Sequence, residues 1–186
     1  KRIRSDFKEF TCHNPAFSLS GGIAIVNATF PIMKAAQLSD EEEKRGKTHS
    51  IDDKVKNSLS FLEMPLNWDM EFPFIEQLKN KIAGLIEDKK LNHSFISKLL
   101  MHYTNAAIKG HKITSVRVFW LLTYDMSRLK AREKQTEINT LIDNCISEVC
   151  GNKKQLNGIE LQTNYHALEL WAFSARWAEL ELRNKK

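Results

Sequence analysis

The stretch that decides the fold is FSLSGGIAIV, residues 17–26. Its residues alternate and several are β-branched, which predicts a strand. Two glycines lie inside it. Glycine within a strand weakens pairing and often marks a close backbone approach to something else. Upstream, KRIRSDFKEF (1–10) places Ile3, Phe7 and Phe10 on one helical stripe, and Asn14-Pro15 then breaks the helix. Downstream, Pro31 suits the first turn of a helix, where its missing N–H costs nothing. That helix carries Ile32, Ala35, Ala36 and Leu38 and runs to about Gly46. GKTHSIDDKVK (46–56) is a polar connection, and NSLSFL (57–62) reads as a second short strand.

The character changes after Met64-Pro65. No strand is predicted between Phe74 and the C-terminus; helices are expected near 73–88, 93–109, 112–131, 133–149 and 160–183, with Gly110 and Gly151 as C-caps. The fold class expected is α+β: two strands and their helices in residues 1–68, followed by a small all-α bundle in 69–186. An isolated strand pair is marginal in water. The first part is therefore expected to complete a sheet whose other strands lie upstream or in another chain. The uncapped start at Lys1-Arg2-Ile3-Arg4 points the same way, to a C-terminal piece of something larger.

Composition narrows the function classes. The chain has 186 residues with 27% charged and 42% hydrophobic side chains, an ordinary globular balance that excludes wholesale disorder. The net charge is +5, a mild bias towards acidic partners; residues 69–186 hold 18 of the basic and 14 of the acidic side chains. Cys12, Cys145 and Cys150 form no disulfide pattern and no zinc-binding C-x-x-C, so free thiols in a reducing cytoplasm are expected. The best candidate for a membrane span, VRVFWLL at 116–122, is far too short. No membrane partner is expected.

Several segments taken together resemble a known family. SLSGGIAIV (18–26), FPIMKAAQLSDEEEKRGK (30–47), KNSLSFLEMPLNWDMEFPF (56–74) and YHALELWAFSARWAELELR (165–183) are similar, in this order, to the second palm domain and C-terminal helices of the large subunit of type III-A (Csm-type) CRISPR effector complexes. The resemblance implies a partial ferredoxin-like, nucleotidyl-cyclase palm. It implies ATP and Mg as cofactors, synthesis of cyclic oligoadenylates when target RNA pairs with a guide, and in many members a single-strand DNase domain. It implies other Csm-type subunits and guide and target RNA as partners. The chain departs from the family in one respect: it has neither the metal-binding Gly-Gly-Asp-Asp motif nor a His-Asp pair. The resemblance places the hairpin that carries this motif just before residue 1. Alone, this chain is expected to be inactive, with no catalytic and no metal-ligating residue of its own.

The candidate site follows from the resemblance. Ser20, Gly21 and Gly22 would line the ATP pocket, the glycines letting a ligand approach the backbone and Ser20 offering a hydroxyl. The competing reading is a strand packed tightly on a helix. Lys47 would reach phosphate; otherwise it stabilises a helix C-terminus. Lys34, Lys44, Arg45 and Lys56-Asn57 are weaker candidates. The run Asp40-Glu41-Glu42-Glu43 points around a helix and reads as a solvated face rather than a metal site. The six His show no metal spacing, and Cys12-His13 no nucleophile.

In the tail, Arg117, Leu121, Tyr124, Arg128 and Arg132 fall on one side of a helix, opposite Val118, Phe119, Leu122, Met126 and Leu129. The basic stripe with Tyr124 can meet nucleic acid or an acidic partner surface; otherwise it is a solvated face. Trp171, Phe173 and Trp177 read as bundle core, and Trp68 as an anchor between the two parts. Two functions remain open. One is part of an ATP-using nucleotidyltransferase; the other is a non-enzymatic assembly module docking the small subunit or RNA. A diguanylate-cyclase relative fits less well because of the helical tail.

Overall fold

The computed structural model describes residues 2–51, 54–107, 116–151, 155–156, 158–161 and 164–184. It divides into two compact units, residues 1–72 and 73–186. The boundary lies four residues beyond the expected one, in the first turn of a helix, where Pro73 is tolerated.

In the first unit, α1 (Arg2–Phe10) leads to β1 (Gly21–Ile23), then α2 (Ile32–Thr48), the two-residue strands β2 (Ser50–Ile51) and β3 (Lys54–Val55), β4 (Ser58–Phe61) and β5 (Met64–Asn67). The main sheet has the order β1-β4-β5. β1 runs parallel to β4, with Gly21 opposite Leu59, Gly22 opposite Ser60 and Ile23 opposite Phe61. A parallel pair needs a crossover, which α2 supplies. β4 and β5 are antiparallel and joined by Leu62-Glu63, both at positive φ (53° and 65°), as a two-residue primed turn requires.

The sheet is thus larger than expected by one strand, β5. Pro65 marks it as a break in the sequence, but proline is tolerated on an edge strand, and β5 pairs only with β4. The polar connection also contains order: β2 and β3 pair, and Lys56 N–H closes the ladder on His49 O at 3.0 Å.

Strand alternation gives the sheet two unlike faces. Gly22, Ser58 and Ser60 face α2. Gly21, Leu59, Phe61, Met64 and Leu66 face the other way, and the last four are buried.

The second unit begins within α3 (Glu71–Glu87) and continues through α4 (Ser94–Ala107), α5 (Val116–Lys130), α6 (Thr136–Val149) and α7 (Asn164–Asn184). All five expected helices form. α4 packs on α5 and α7, and α6 on α5 and α7. Ile138, Leu141, Ile142, Cys145 and Val149 line the buried side of α6 at helical spacing. α7 is buried on nearly every side from Ala167 to Ala175, with Trp171 at the centre donating to Glu148 Oε2 at 2.9 Å. That agrees with its reading as core.

A short ladder, β6 (Gln155–Leu156) with β7 (Ile159–Glu160), corrects the expectation of no strand beyond Phe74. Gly158, at φ 83°, belongs to its turn. Gly151 follows α6 as expected of a helix stop; a Cβ there would lie 2.2 Å from Ser147 O. Gly110, and the ends of the expected helices that reach it, lie outside the described residues.

Candidate functional site

The glycines of β1 have different explanations. A Cβ on Gly22 would lie 2.1 Å from Glu43 N, 2.6 Å from Glu42 C and 2.7 Å from Ser39 O, all backbone atoms of α2. Gly22 therefore provides clearance for the helix, as the competing reading held. Gly46 on α2 completes the close approach, since a Cβ there would sit 3.0 Å from Gly21 O and 3.2 Å from Ser58 O. Ser39 Oγ donates to Gly22 O at 3.4 Å across the same contact. Gly21 is different: a Cβ would meet only Leu59 Cδ1, at an ordinary 3.6 Å. A ligand approaching this strand closely does so over Gly21, on the face turned away from α2.

Ser20 Oγ accepts from Ser58 N at 3.5 Å, so its hydroxyl extends the edge of the β1–β4 pairing. Lys47 follows Gly46 and is brought beside the glycine strand through its backbone. Its Nζ lies 2.7 Å from Glu43 Oε1, a half-exposed pair on the helix surface. Lys44 pairs in the same way with Asp40 at 2.7 Å. Ser20, Gly21 and Gly22 thus lie on β1 or at its start, whereas Lys47 lies on α2, held by a carboxylate of its own helix.

The acidic run is not wholly a solvated face. Glu42 is 6% exposed. It accepts from Ser60 Oγ on β4, from Glu63 N in the β4–β5 turn at 2.9 Å, and from Arg45 Nη1 at 3.0 Å. One carboxylate therefore ties the helix to both the middle strand and its turn. Among the described residues no group of three or more His, Cys, Asp or Glu is placed to hold a metal ion.

A cavity of about 660 Å³ opens beside α1, lined among others by Arg4, Lys8, His13, Phe17, Asn57 and Asp69. Ser20, Gly21, Gly22 and Lys47 do not line it. At its centre Asp69 accepts from Arg4 Nη2 at 2.5 Å and from Asn57 Nδ2 at 2.7 Å, with Lys8 Nζ 3.7 Å away. Partial burial pushes the Asp69 carboxyl up, but the bonds and charges of Arg4, Asn57 and Lys8 outweigh it, so the pKa falls below the usual carboxylate range. Arg4 also lies over the Trp68 ring, 5.6 Å from its centre, and Trp68 Nε1 donates to Leu19 O at 3.0 Å. These contacts of Trp68 lie within the first unit.

The stripe in the second unit is exposed on α5. Arg117, Leu121, Tyr124 and Arg128 face solvent, while Val118, Leu122 and Met126 are buried and Phe119 and Leu129 partly so. Arg132 departs from the expected stripe: α5 ends at Lys130 and Arg132 sits in the following turn. Trp120, which the periodicity does not single out, is the most exposed large hydrophobic side chain of this face at 71%, with Tyr124 at 59%. The inward edge of α5 is anchored by Asp125, which accepts from Lys98 Nζ at 2.7 Å and is paired with His102 Nε2 at 2.9 Å.

The thiols are free. Burial raises the Cys145 thiol well above its ordinary value and raises Cys150 as well, which favours the thiol over the thiolate at both. Among the described residues no helix is long and apolar enough to cross a membrane.

The chain is similar to the single-strand-specific deoxyribonuclease Cas10/Csm1 (subtype III-A) of the CRISPR system of Methanocaldococcus jannaschii, with 40% identity over 94 residues. The matched stretch is 47% of this chain and 12% of that relative, so the chain spans a small part of its length. This bears out the resemblance to the Csm-type large subunit. No family model and no solved structure matches.

Proposed function

We propose that this chain acts in CRISPR defence as a portion of a type III-A effector large subunit, beside other Csm-type subunits. The observation that carries the reading is the 40% identity over 94 residues to a Cas10/Csm1 subunit. The parallel β1–β4 pair with its α2 crossover, followed by a five-helix unit, supports a partial palm with a helical domain behind it.

In this reading Ser20, Gly21 and Lys47 contribute to an ATP pocket that residues outside this chain complete. Gly21 leaves its backbone open to a ligand on the face turned away from α2; Lys47, on α2 and paired with Glu43, would reach phosphate only past the edge of the sheet. Gly22 serves the same site indirectly, by seating α2. Mg, which would neutralise phosphate charge, would be held by carboxylates elsewhere in the large subunit. Cyclic-oligoadenylate synthesis therefore belongs to the assembled protein. The chain alone, incubated with ATP and Mg, should form no product and should leave single-stranded DNA uncut; robust turnover would overturn the reading. The gene offers a second test. Codons preceding Lys1 that encode a Gly-Gly-Asp-Asp hairpin support the enzymatic form, and a preceding domain without it removes the enzymatic form.

The second reading, an assembly module, is favoured by the exposed α5 face. Reversing the charges of Arg117 and Arg128 should weaken assembly or RNA retention by the effector. Unchanged assembly would sink this role for the stripe.

A further inference from the structure

On α5, Arg117, Trp120, Leu121, Tyr124 and Arg128 form one continuous exposed face. It carries two aromatic rings flanked by arginines and no carboxylate. The acidic residue of the helix, Asp125, is engaged by Lys98 and His102. Among the described residues none of Arg117, Arg128 and Arg132 has a carboxylate partner. Arg128 instead lies against the Tyr124 ring, 5.6 Å from its centre, while Tyr124 remains 59% exposed. The face is thus uncompensated in charge and aromatic at its centre.

We propose that this face is a stacking platform for single-stranded nucleic acid. Trp120 and Tyr124 would each hold a base, while Arg117 and Arg128 meet the phosphates on either side. The two rings are one turn apart, about 6 Å along the axis. Bases in a duplex rise only about 3.4 Å. Stacking on both rings needs bases with uncovered faces, which a single strand offers and a duplex does not.

Tryptophan, tyrosine and arginine also anchor protein interfaces. A stable interface, however, takes about 800 Å² and 20–30 residues from each partner. Among the described residues the exposed large hydrophobics of the helical unit are Met101, Trp120, Leu121 and Tyr124. That is too small an apolar core for a protein partner and is sufficient for two bases. Two arginines on the face without a carboxylate partner among the described residues favour a polyanion over an average protein surface.

The proposal deepens the assembly reading and rests on it only for which strand the face meets. Its test is fluorescence titration of the full chain with short oligouridylate, oligothymidylate and a duplex of equal length. Because Trp120 is exposed, the single strands should quench emission, and Trp120→Phe should remove most of the quenching. Trp120→Ala with Tyr124→Ala should weaken single-strand binding at least about tenfold per ring. Arg117→Gln and Arg128→Gln should each lower the slope of log affinity against log salt by about 0.7. All four positions are exposed, so an unchanged circular-dichroism spectrum checks that the variants fold.

Three results overturn the proposal: no single-strand binding at low salt, equal affinity for the duplex, or binding unaffected by loss of both rings. Binding of either single strand with the expected variant losses supports it. If oligonucleotides fail while effector subunits still copurify with the protein, this inference falls and the proposed function stands. Oligonucleotide binding without copurification has the opposite meaning.

Discussion

Replacing Gly22 by alanine tests the packing that organises the first unit. The new methyl would sit 2.1 Å from Glu43 N, 2.6 Å from Glu42 C and 2.7 Å from Ser39 O. Ordinary contact is about 3.5–4 Å. All three neighbours are backbone, so no side-chain rotation relieves the overlap, and α2 must move away from β1 by more than an ångström. Overpacking that side chains can absorb costs about 1–3 kcal/mol. Here the backbone must shift, and the shift also stretches the Glu42 bonds to Ser60 and Glu63. We expect Gly22→Ala to cost at least about 3 kcal/mol, the upper end of that range. Gly21→Ala, on the same strand, meets only Leu59 at 3.6 Å. It should be neutral or up to about 1 kcal/mol stabilising, because alanine has less chain entropy to lose than glycine. Guanidinium unfolding read by hydrogen exchange of the β1 and β4 amides separates this unit from the helical one. A Gly22→Ala protein as stable as the wild type, or a Gly21→Ala protein equally damaged, would refute the clearance argument.

Three further outcomes follow from the same structure. Glu42→Ala should cost about 3 kcal/mol, since it leaves a buried hydroxyl and a turn N–H without their acceptor; Glu42→Gln should cost clearly less, and equal costs in urea unfolding would contradict the bonding scheme. Glu63→Gly should raise the denaturation midpoint by about 1 kcal/mol of stability, because glycine takes the φ of 65° without strain while the N–H to Glu42 remains. The Asp125 carboxyl is lowered chiefly by the Lys98 bond and further by His102, against the opposing effect of burial. Its folded value lies below the unfolded one of about 3.9. The stabilisation is therefore complete above that pH and fades as pH falls through the folded value. Wild type should lose more stability than Asp125→Asn on acidification, and parallel curves of urea midpoint against pH would contradict this.

The helices were legible because their apolar residues keep a strict period. The α6 set from Ile138 to Val149 and the α7 set around Trp171 repeat at three and four residues, and no tertiary contact overrides that pattern. β4 was legible from alternation; of the strand expected over 17–26 only the three residues Gly21–Ile23 pair. β5 was hidden by Pro65, which is compatible with a strand only at a sheet edge, and edges are a property of the assembled sheet. β6 and β7 are two residues each, too short for any period, though Asn157-Gly158 is a hairpin signal in the sequence. Within the site, the two glycines look alike in sequence. Only the position of α2 separates Gly22, which it contacts, from Gly21, which it leaves open. Glu42 reads as one of a solvated run because its partners lie 18 and 21 residues away. The cavity around Asp69 likewise depends on Arg4, 65 residues distant. The stripe through Arg117 and Tyr124 places Leu121, not Trp120, near its centre line, so only the folded structure reveals that Trp120 shares the exposed face.

Affinity purification is the most direct test of membership of a type III-A effector. The gene product that carries this chain, tagged and isolated from its own cells, should bring down Csm-type subunits together with guide RNA, identified by mass spectrometry and RNA sequencing. Recovery of the tagged protein without these subunits and without guide RNA, from cells in which the effector is assembled, would contradict it.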